Sequence, residues 1–253
     1  MTTQAERAKI LKSLHKKGSP LVLYNIWDAG GAQAIADAGA QAVATGSWSV
    51  AAAHGYPDGE AIPLDLLLRI VTRIVETVDV PVSVDFEGGY ARDPRGVAEN
   101  VTQLIQAGAI GINFEDRVVA GEGLYPISDQ VARIEAIADV ARREEVPLFV
   151  NARTDLFLGS DPNAHPGLIP QALEREAAYA RAGADGFFVP GLRDPDLIRQ
   201  ITDAASLPVN VMLTKSGDAV AEIAALDVSR VSFGPRPYLD ATARLVESFK
   251  SII

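Results

Sequence analysis

The sequence contains no cysteine, so disulfides, thiolate nucleophiles and cysteine-ligated metals are excluded by inventory. Histidine is nearly as scarce: His15, His54 and His165 are the only three, and no two have the spacing of a metal-ligand pair. No apolar run is long enough to cross a bilayer, and the opening MTTQAERAKILKSLHKKG reads as an amphipathic helix of mixed charge rather than a signal peptide. Positive charge is in deficit, with 23 Lys and Arg against 33 Asp and Glu for a net charge of −10. That sign repels phosphate backbones and anionic membrane surfaces, so neither nucleic acid nor a membrane is an expected partner. An anionic ligand would need local positive charge from arginine, backbone amides or a metal. A soluble, cytoplasmic protein is the expectation.

What is present is apolar material, 48% of 253 residues, ample for a core. Short runs rich in Val, Ile, Phe and Leu recur at LVLYNIWD (21–28), QAVATGSW (41–48), VPVSVDFE (80–87), IGINFED (110–116), PLFVNARTD (147–155), GFFVP (186–190), LPVNVM (207–212) and RVSFG (230–234). Helical periodicity fills the gaps, as in LDLLLRIVTRIVETV, VAENVTQLIQAG, QVARIEAIADVARREE and QALEREAAYARAG. The phrases DAGAQAV, QAGAIGI and RAGADGF each mark a glycine helix stop running into the next strand. Strands apolar on both faces imply a parallel sheet. An open doubly wound sheet uses the same alternation. Eight βα units in about 250 residues, without a shift in composition or a linker, favour a TIM (β/α)8 barrel occupying residues 1–253 as a single domain.

A barrel carries its chemistry at the C-terminal ends of its strands. Those ends supply Asn25 and Asp28, then Gly46, Ser47 and Trp48, then Asp85 and Glu87. Asn113, Glu115 and Asp116 follow, then Asn151, Arg153 and Asp155, and finally Asn210. Side chains alternate along a strand, so Asp85 and Glu87 are expected to point the same way, as are Asn113 and Glu115, and Asn151, Arg153 and Asp155. Two carboxylates about 4 Å apart repel by roughly 4 kcal/mol at an effective dielectric of 20. A divalent cation removes that cost, and hard oxygen donors without His or Cys suit Mg2+. Each piece has a plainer reading: Arg153 with Asp155 can be a structural salt bridge, and an isolated Asp-x-Glu a solvated strand end. Three polar clusters at equivalent places in successive units favour a site. The connection TGSWSVAAAHGYPDGEAIP offers backbone amides at GSWS and the carboxylate Asp58. The three histidines suit surface positions, while Trp27 and Trp48 suit either a pocket wall or the core.

The segments NIWDAGGAQAIADAGAQAVATGSWSVAAAHGYPD, VDFEGGY, GINFEDR and NARTD, in that order and spacing, resemble the isocitrate lyase and phosphoenolpyruvate mutase superfamily over nearly the whole chain. The resemblance implies a TIM barrel binding Mg2+, with Mn2+ as the alternative, and a small 2-oxo acid or related carboxylate. It also implies a homo-oligomer, dimer or tetramer, in which the last helix is exchanged between subunits. It makes Asp85, Glu87 and Glu115 the acidic metal site, with Glu87 standing where the family usually has Asp. Arg153 becomes the catalytic arginine that grips the substrate, Gly46, Ser47 and Trp48 the segment holding its carboxylate, and Asp58 a catalytic aspartate. Asn210, at the seventh strand end, joins the substrate-binding set. Lyases of the family carry a Lys-Lys-Cys-Gly-His type loop after the fourth strand. Here that loop is DRVVAGEGLYPISDQ, without Cys, Lys or His, and it also lacks the lysine and asparagine associated with the mutase and the phosphonopyruvate hydrolase. The expectation is therefore a Mg2+-dependent lyase, cleaving or decarboxylating a small 2-oxo or hydroxy carboxylate through a metal-stabilised enolate. The alternatives are mutase or hydrolase chemistry through Asp58, and a non-catalytic 2-oxo acid binding protein.

Overall fold

The structure, a computed structural model, describes residues 2–213 and 220–253. Eight short parallel strands form the inner wall: β1 (Leu21–Leu23), β2 (Val43–Ala44), β3 (Val82–Asp85), β4 (Gly111–Glu115), β5 (Phe149–Arg153), β6 (Gly186–Phe188), β7 (Val209–Met212) and β8 (Arg230–Ser232). Their order in the sheet is β1-β8-β7-β6-β5-β4-β3-β2. The last gap closes just beyond the strands, where the Ile26 amide donates to Ala44 O at 2.8 Å and the Gly46 amide to Ile26 O at 3.1 Å. That parallel bridge between Ile26 and Thr45 turns the sheet into a TIM barrel.

Helices surround it in chain order: α1 (Gln4–Leu14), α2 (Ala29–Asp37), α3 (Ser47–Ala53), α4 (Leu64–Thr77), α5 (Pro94–Gln106), α6 (Ile127–Arg143), α7 (His165–Ala182), α8 (Pro195–Ala204), α9 (Val220–Ala224) and α10 (Arg236–Lys250). Their stripes explain their docking. In α5, Val97, Val101, Leu104 and Ile105 are buried at helical spacing, and Asp93 caps the start by accepting from the Gly96 amide. The three Ala-Gly-Ala phrases end helices as expected, with Gly39, Gly108 and Gly183 all in the left-handed region. A Cβ on Gly108 would also lie 2.6 Å from Val75 Cγ1, so only glycine fits both demands.

The N-terminal helix plugs the floor of the barrel. Leu11 of α1 is fully buried and sits so close to Gly111 at the base of β4 that a Cβ there would meet it at 2.6 Å. His15, just beyond α1, stacks on Phe149 of β5 with ring centroids 4.1 Å apart. At the other end of the chain, Pro237 is the one buried residue of α10, which leaves Leu245, Val246 and Phe249 exposed. Among the described residues no helix is long and apolar enough to cross a membrane.

Candidate active site

With the floor sealed, the C-terminal mouth holds a cavity of about 230 Å³. One wall is polar, formed by Asn25, Ser47, Asp58, Asp85, Asn113 and Arg153. The other is apolar, formed by Trp48, Leu158, Phe188, Met212 and Pro235. Of the expected site residues, Gly46, Ser47, Trp48, Asp58, Asp85 and Arg153 therefore share one cavity.

Asp85 closes β3 and is held from two sides. Its Oδ2 accepts from the Ser47 amide at 3.1 Å and the Ser47 hydroxyl at 2.9 Å, while Asn113 Nδ2 lies 3.5 Å from Oδ1. The Gly46–Trp48 segment thus leads into the short helix α3, and two of its amides are already engaged: Gly46 with Ile26 O and Ser47 with Asp85.

Glu87 does not continue the alternation from Asp85. β3 has ended, and Glu87 takes a left-handed conformation with φ 49°. That turn tucks its side chain under the neighbouring loop, where Oε2 accepts from the Glu60 amide at 2.9 Å. Burial pushes the Glu87 carboxyl up to about 9, and the charges of Asp85, Asp58 and Glu115 push the same way.

Glu115 and Arg153 face each other across the β4–β5 pair. Arg153 Nη1 lies 3.1 Å from Glu115 Oε2, and Nε and Nη2 form a fork on Asp155 at 2.6 and 2.9 Å. Burial lifts the Glu115 carboxyl to about 8; Arg153 opposes that rise, and Asp155 and Asp85 add to it. For Arg153, burial works against the charged form, but Glu115 and Asp155 outweigh it and push the guanidinium upward. A guanidinium carries five N–H groups. Three are taken by these contacts, two have no partner among the described residues, and the side chain lines the cavity.

Asp116 anchors this assembly from behind. It is fully buried, accepting from the Asp155 amide at 3.0 Å on one oxygen and from Arg175 and Tyr179 at 3.0 and 2.9 Å on the other. Asp28, expected at the ring, instead caps α2 through the Gly31 amide. Asn25 ties the mouth together, donating to Thr45 O and accepting from the Phe233 and Gly234 amides. Asn210 lies below the cavity inside the barrel, its Oδ1 accepting from Asn151 at 3.1 Å. Trp27 packs edge-on against Tyr238 and does not line the cavity. His15, half-buried, and His165, buried, pack against aromatic rings rather than standing as surface groups.

With this arrangement in view, the comparisons are decisive. Residues 11–253 match the model of the phosphoenolpyruvate phosphomutase family. The chain belongs to that family. Family membership is consistent with its similarity to a candidate phosphonomutase from Burkholderia cenocepacia J2315, 47% identical with a TM-score of 0.95, covering 98% of this chain and 99% of that one. An uncharacterised protein of Mycobacterium tuberculosis is 37% identical over 89% of this chain and 81% of its own. The 2-methylisocitrate lyase of Salmonella typhimurium is 30% identical over 85% of this chain and 70% of its own. Phosphoenolpyruvate phosphomutase family proteins with such names are enzymes, lyases and mutases.

Two features depart from the sequence expectations within this family frame. No group of three or more acidic or histidine side chains among the described residues lies close enough to grip a cation directly. Asp85 is the acidic residue of the expected metal set that faces the cavity, while Glu87 and Glu115 stand behind it. The donor chemistry nonetheless fits Mg2+: the donors are hard oxygens only, and burial first, then the neighbouring carboxylates, raises the Glu87 and Glu115 carboxyls, a cost that a cation would offset. The second feature is the loop after β4. It folds back on itself through Val118 N to Gly123 O and Tyr125 N to Asp116 O, and none of residues 116–126 lines the cavity.

Trp48 apart, the apolar wall was missed by sequence reasoning. Phe188 and Met212 sit at strand ends already marked out, and the rule used for polar residues there applies to apolar ones equally. Leu158 and Pro235 lie on loops, and nothing in the sequence marked them.

Proposed function

We propose that this chain is a Mg2+-dependent lyase that cleaves or decarboxylates a small 2-oxo or hydroxy carboxylate. The observation that carries the reading is the pairing, in one 230 Å³ cavity, of a two-donor face on Arg153 with the carboxylates Asp85 and Asp58. Arg153 binds and orients the substrate carboxylate, its own rotamer fixed by Asp155 and Glu115. Asp85 would hold the cation directly, with Glu87 and Glu115 behind it acting through water. When bound, the cation supplies positive charge beside the oxygen on which negative charge develops. Asp58 is the proton-handling group. Its carboxyl is raised from the ordinary range, chiefly by desolvation at the cavity and then by the charge of Asp85, a shift in the direction that favours holding a proton. The apolar wall excludes water and faces the substrate's carbon skeleton. A loop acid is not required, which agrees with a loop that stands outside the cavity.

The 30% identity to a 2-methylisocitrate lyase supports carbon–carbon bond cleavage as the reaction class. We further propose a single barrel domain and a homo-oligomer, dimer or tetramer, in which the exposed Leu245, Val246 and Phe249 of α10 are covered by a second copy, in the cytoplasm. The reading is tested by a thermal-shift screen of 2-oxo acids and dicarboxylates with and without Mg2+, followed by mass analysis of the stabilising ligand. A metal-dependent ligand that is consumed by the protein, and survives with Asp58→Asn, is expected. A ligand that stabilises wild type but stays intact would leave a binding protein in place of an enzyme.

A further inference from the structure

Arg230 lies at the start of β8, a strand whose neighbours are β7 and β1. Its side chain is nonetheless bonded to Asn113 of β4, Nη2 to Oδ1 at 3.0 Å. In an eight-stranded barrel β4 and β8 are opposite walls, so this bond crosses the interior. Arg230 is 1% exposed, and its Nε and Nη1 have no hydrogen-bond partner among the described residues. Among the described residues no carboxylate pairs with it, unlike Arg153 and Arg175. The facing titratable groups are His15 on the floor side and Asp85 on the mouth side. His15 is driven down to about 3, first by burial and then by the Arg230 charge, so it stays neutral and offers no compensation. The guanidinium is itself lowered only to about 10 and remains charged at neutral pH.

A buried cation costs several kcal/mol unless something uses it, and a Leu or Met would fill the same volume without that cost. The use is visible in what the guanidinium forces on its neighbour. Arginine has only donors, so the atom of Asn113 that it touches has to be the carbonyl oxygen. Asn151 Nδ2 donates to the same oxygen at 2.9 Å. The Asn113 amide nitrogen is thereby turned toward Asp85 Oδ1, 3.5 Å away. The rest of the amide cluster agrees in sense: Asn151 also donates to Asn210 Oδ1, and Asn210 Nδ2 donates to the carbonyls of Val211 and Arg230. Gly186 keeps the cluster open, since a Cβ there would lie 2.7 Å from Asn151 Oδ1.

We infer that Arg230 is a positioning residue, which orients Asn113 so that its amide donor holds Asp85 in the pose needed to take a divalent cation. The inference rests on the reading of Asp85 as the cation ligand. Outer partners of metal ligands characteristically change affinity by 10- to 100-fold when removed, so an effect of that size is expected here without any contact between Arg230 and the cation.

The test is Mn2+ affinity of the substrate-free protein by calorimetric titration, together with the melting temperature of each variant. Arg230→Met is expected to weaken Mn2+ binding at least tenfold, and Arg230→Lys, which keeps a long donor-only side chain, to restore most of it. A purely electrostatic Arg230 gives the opposite sign, because deleting a positive charge tightens cation binding. Tighter or unchanged binding in Arg230→Met therefore overturns the inference, as does a fall in melting temperature with affinity intact. Should Arg230→Met not fold, Asn113→Ser removes the relay while leaving the arginine in place, and the same tenfold weakening is expected. Unchanged affinity there overturns the inference equally. Failure of the underlying reading looks different: wild type itself binds no Mn2+ in the millimolar range, and the inference falls with it.

Discussion

Two arginines of one barrel, Arg153 half-buried at the mouth and Arg230 buried in the interior, sit in opposite electrostatic settings. Arg153 has Glu115 on one side and a forked Asp155 on the other, and its guanidinium is pushed upward. Among the described residues the side-chain hydrogen bond of Arg230 goes to a neutral amide, and burial pulls its guanidinium down to about 10. The difference teaches that burial alone does not define what a charged side chain is for. Arg153 is stabilised in place and keeps N–H groups to spare for a ligand. Arg230 is held at a cost, and its contribution is the direction it imposes on Asn113.

The comparison breaks most forcefully at Arg153. Arg153→Met strips two buried carboxylates of their cation, and breaking such a pair typically costs about 3–5 kcal/mol, to be read from urea unfolding. A loss below about 1 kcal/mol would show that Glu115 and Asp155 do not depend on it.

The next effect concerns the carboxyl that lacks any arginine. Glu87 has a folded pKa raised to about 9, so the unfolded chain loses its proton first as pH rises above the ordinary glutamate range. Stability is therefore lost on going from about pH 4.5 toward pH 9 in cation-free buffer. Glu87→Gln is expected to recover up to about 3 kcal/mol at pH 7, and to flatten that alkaline decline. An unchanged pH profile would show that burial and the neighbouring carboxylates do not penalise the Glu87 charge.

The smallest effect sharpens the Arg230 side. His15 has a folded pKa near 3 against 6.5 for the free side chain, so the unfolded chain takes up its proton first as pH falls. Stability is lost from about pH 6.5 downward, by about 2 kcal/mol at pH 5. His15→Phe should remove that loss. In an Arg230→Met background the loss should shrink, because one of the two causes holding His15 neutral is gone; equal acid slopes in both backgrounds would show that the two groups do not sense each other.

Much of this was legible in order but not in depth. The eight apolar runs all became strands, and the glycines at 39, 108 and 183 ended helices as their phrases implied. The strand-end rule found Asp85, Arg153 and Ser47, because the barrel presents those ends by construction. It misjudged Glu87, since the period-two rule holds only while the strand lasts and β3 stops at Asp85. Asp28 looked like a ring residue and proved to be a helix cap, a role that Asp fills wherever a strand turns into a helix. Arg230 was visible as a charge inside an apolar strand, but nothing local could name its partner.

The sequence by itself determined the alternation of strands and helices, the absence of thiol chemistry, and the set of polar groups available at the strand ends. These follow from local periodicity, turn residues and inventory. Tertiary structure decided which of those groups share a cavity, which carboxyls stand behind it, and that Arg230 meets a residue 117 positions away. Contacts between opposite walls exist only once the barrel closes, and closure is a property of the whole sheet rather than of any segment of it.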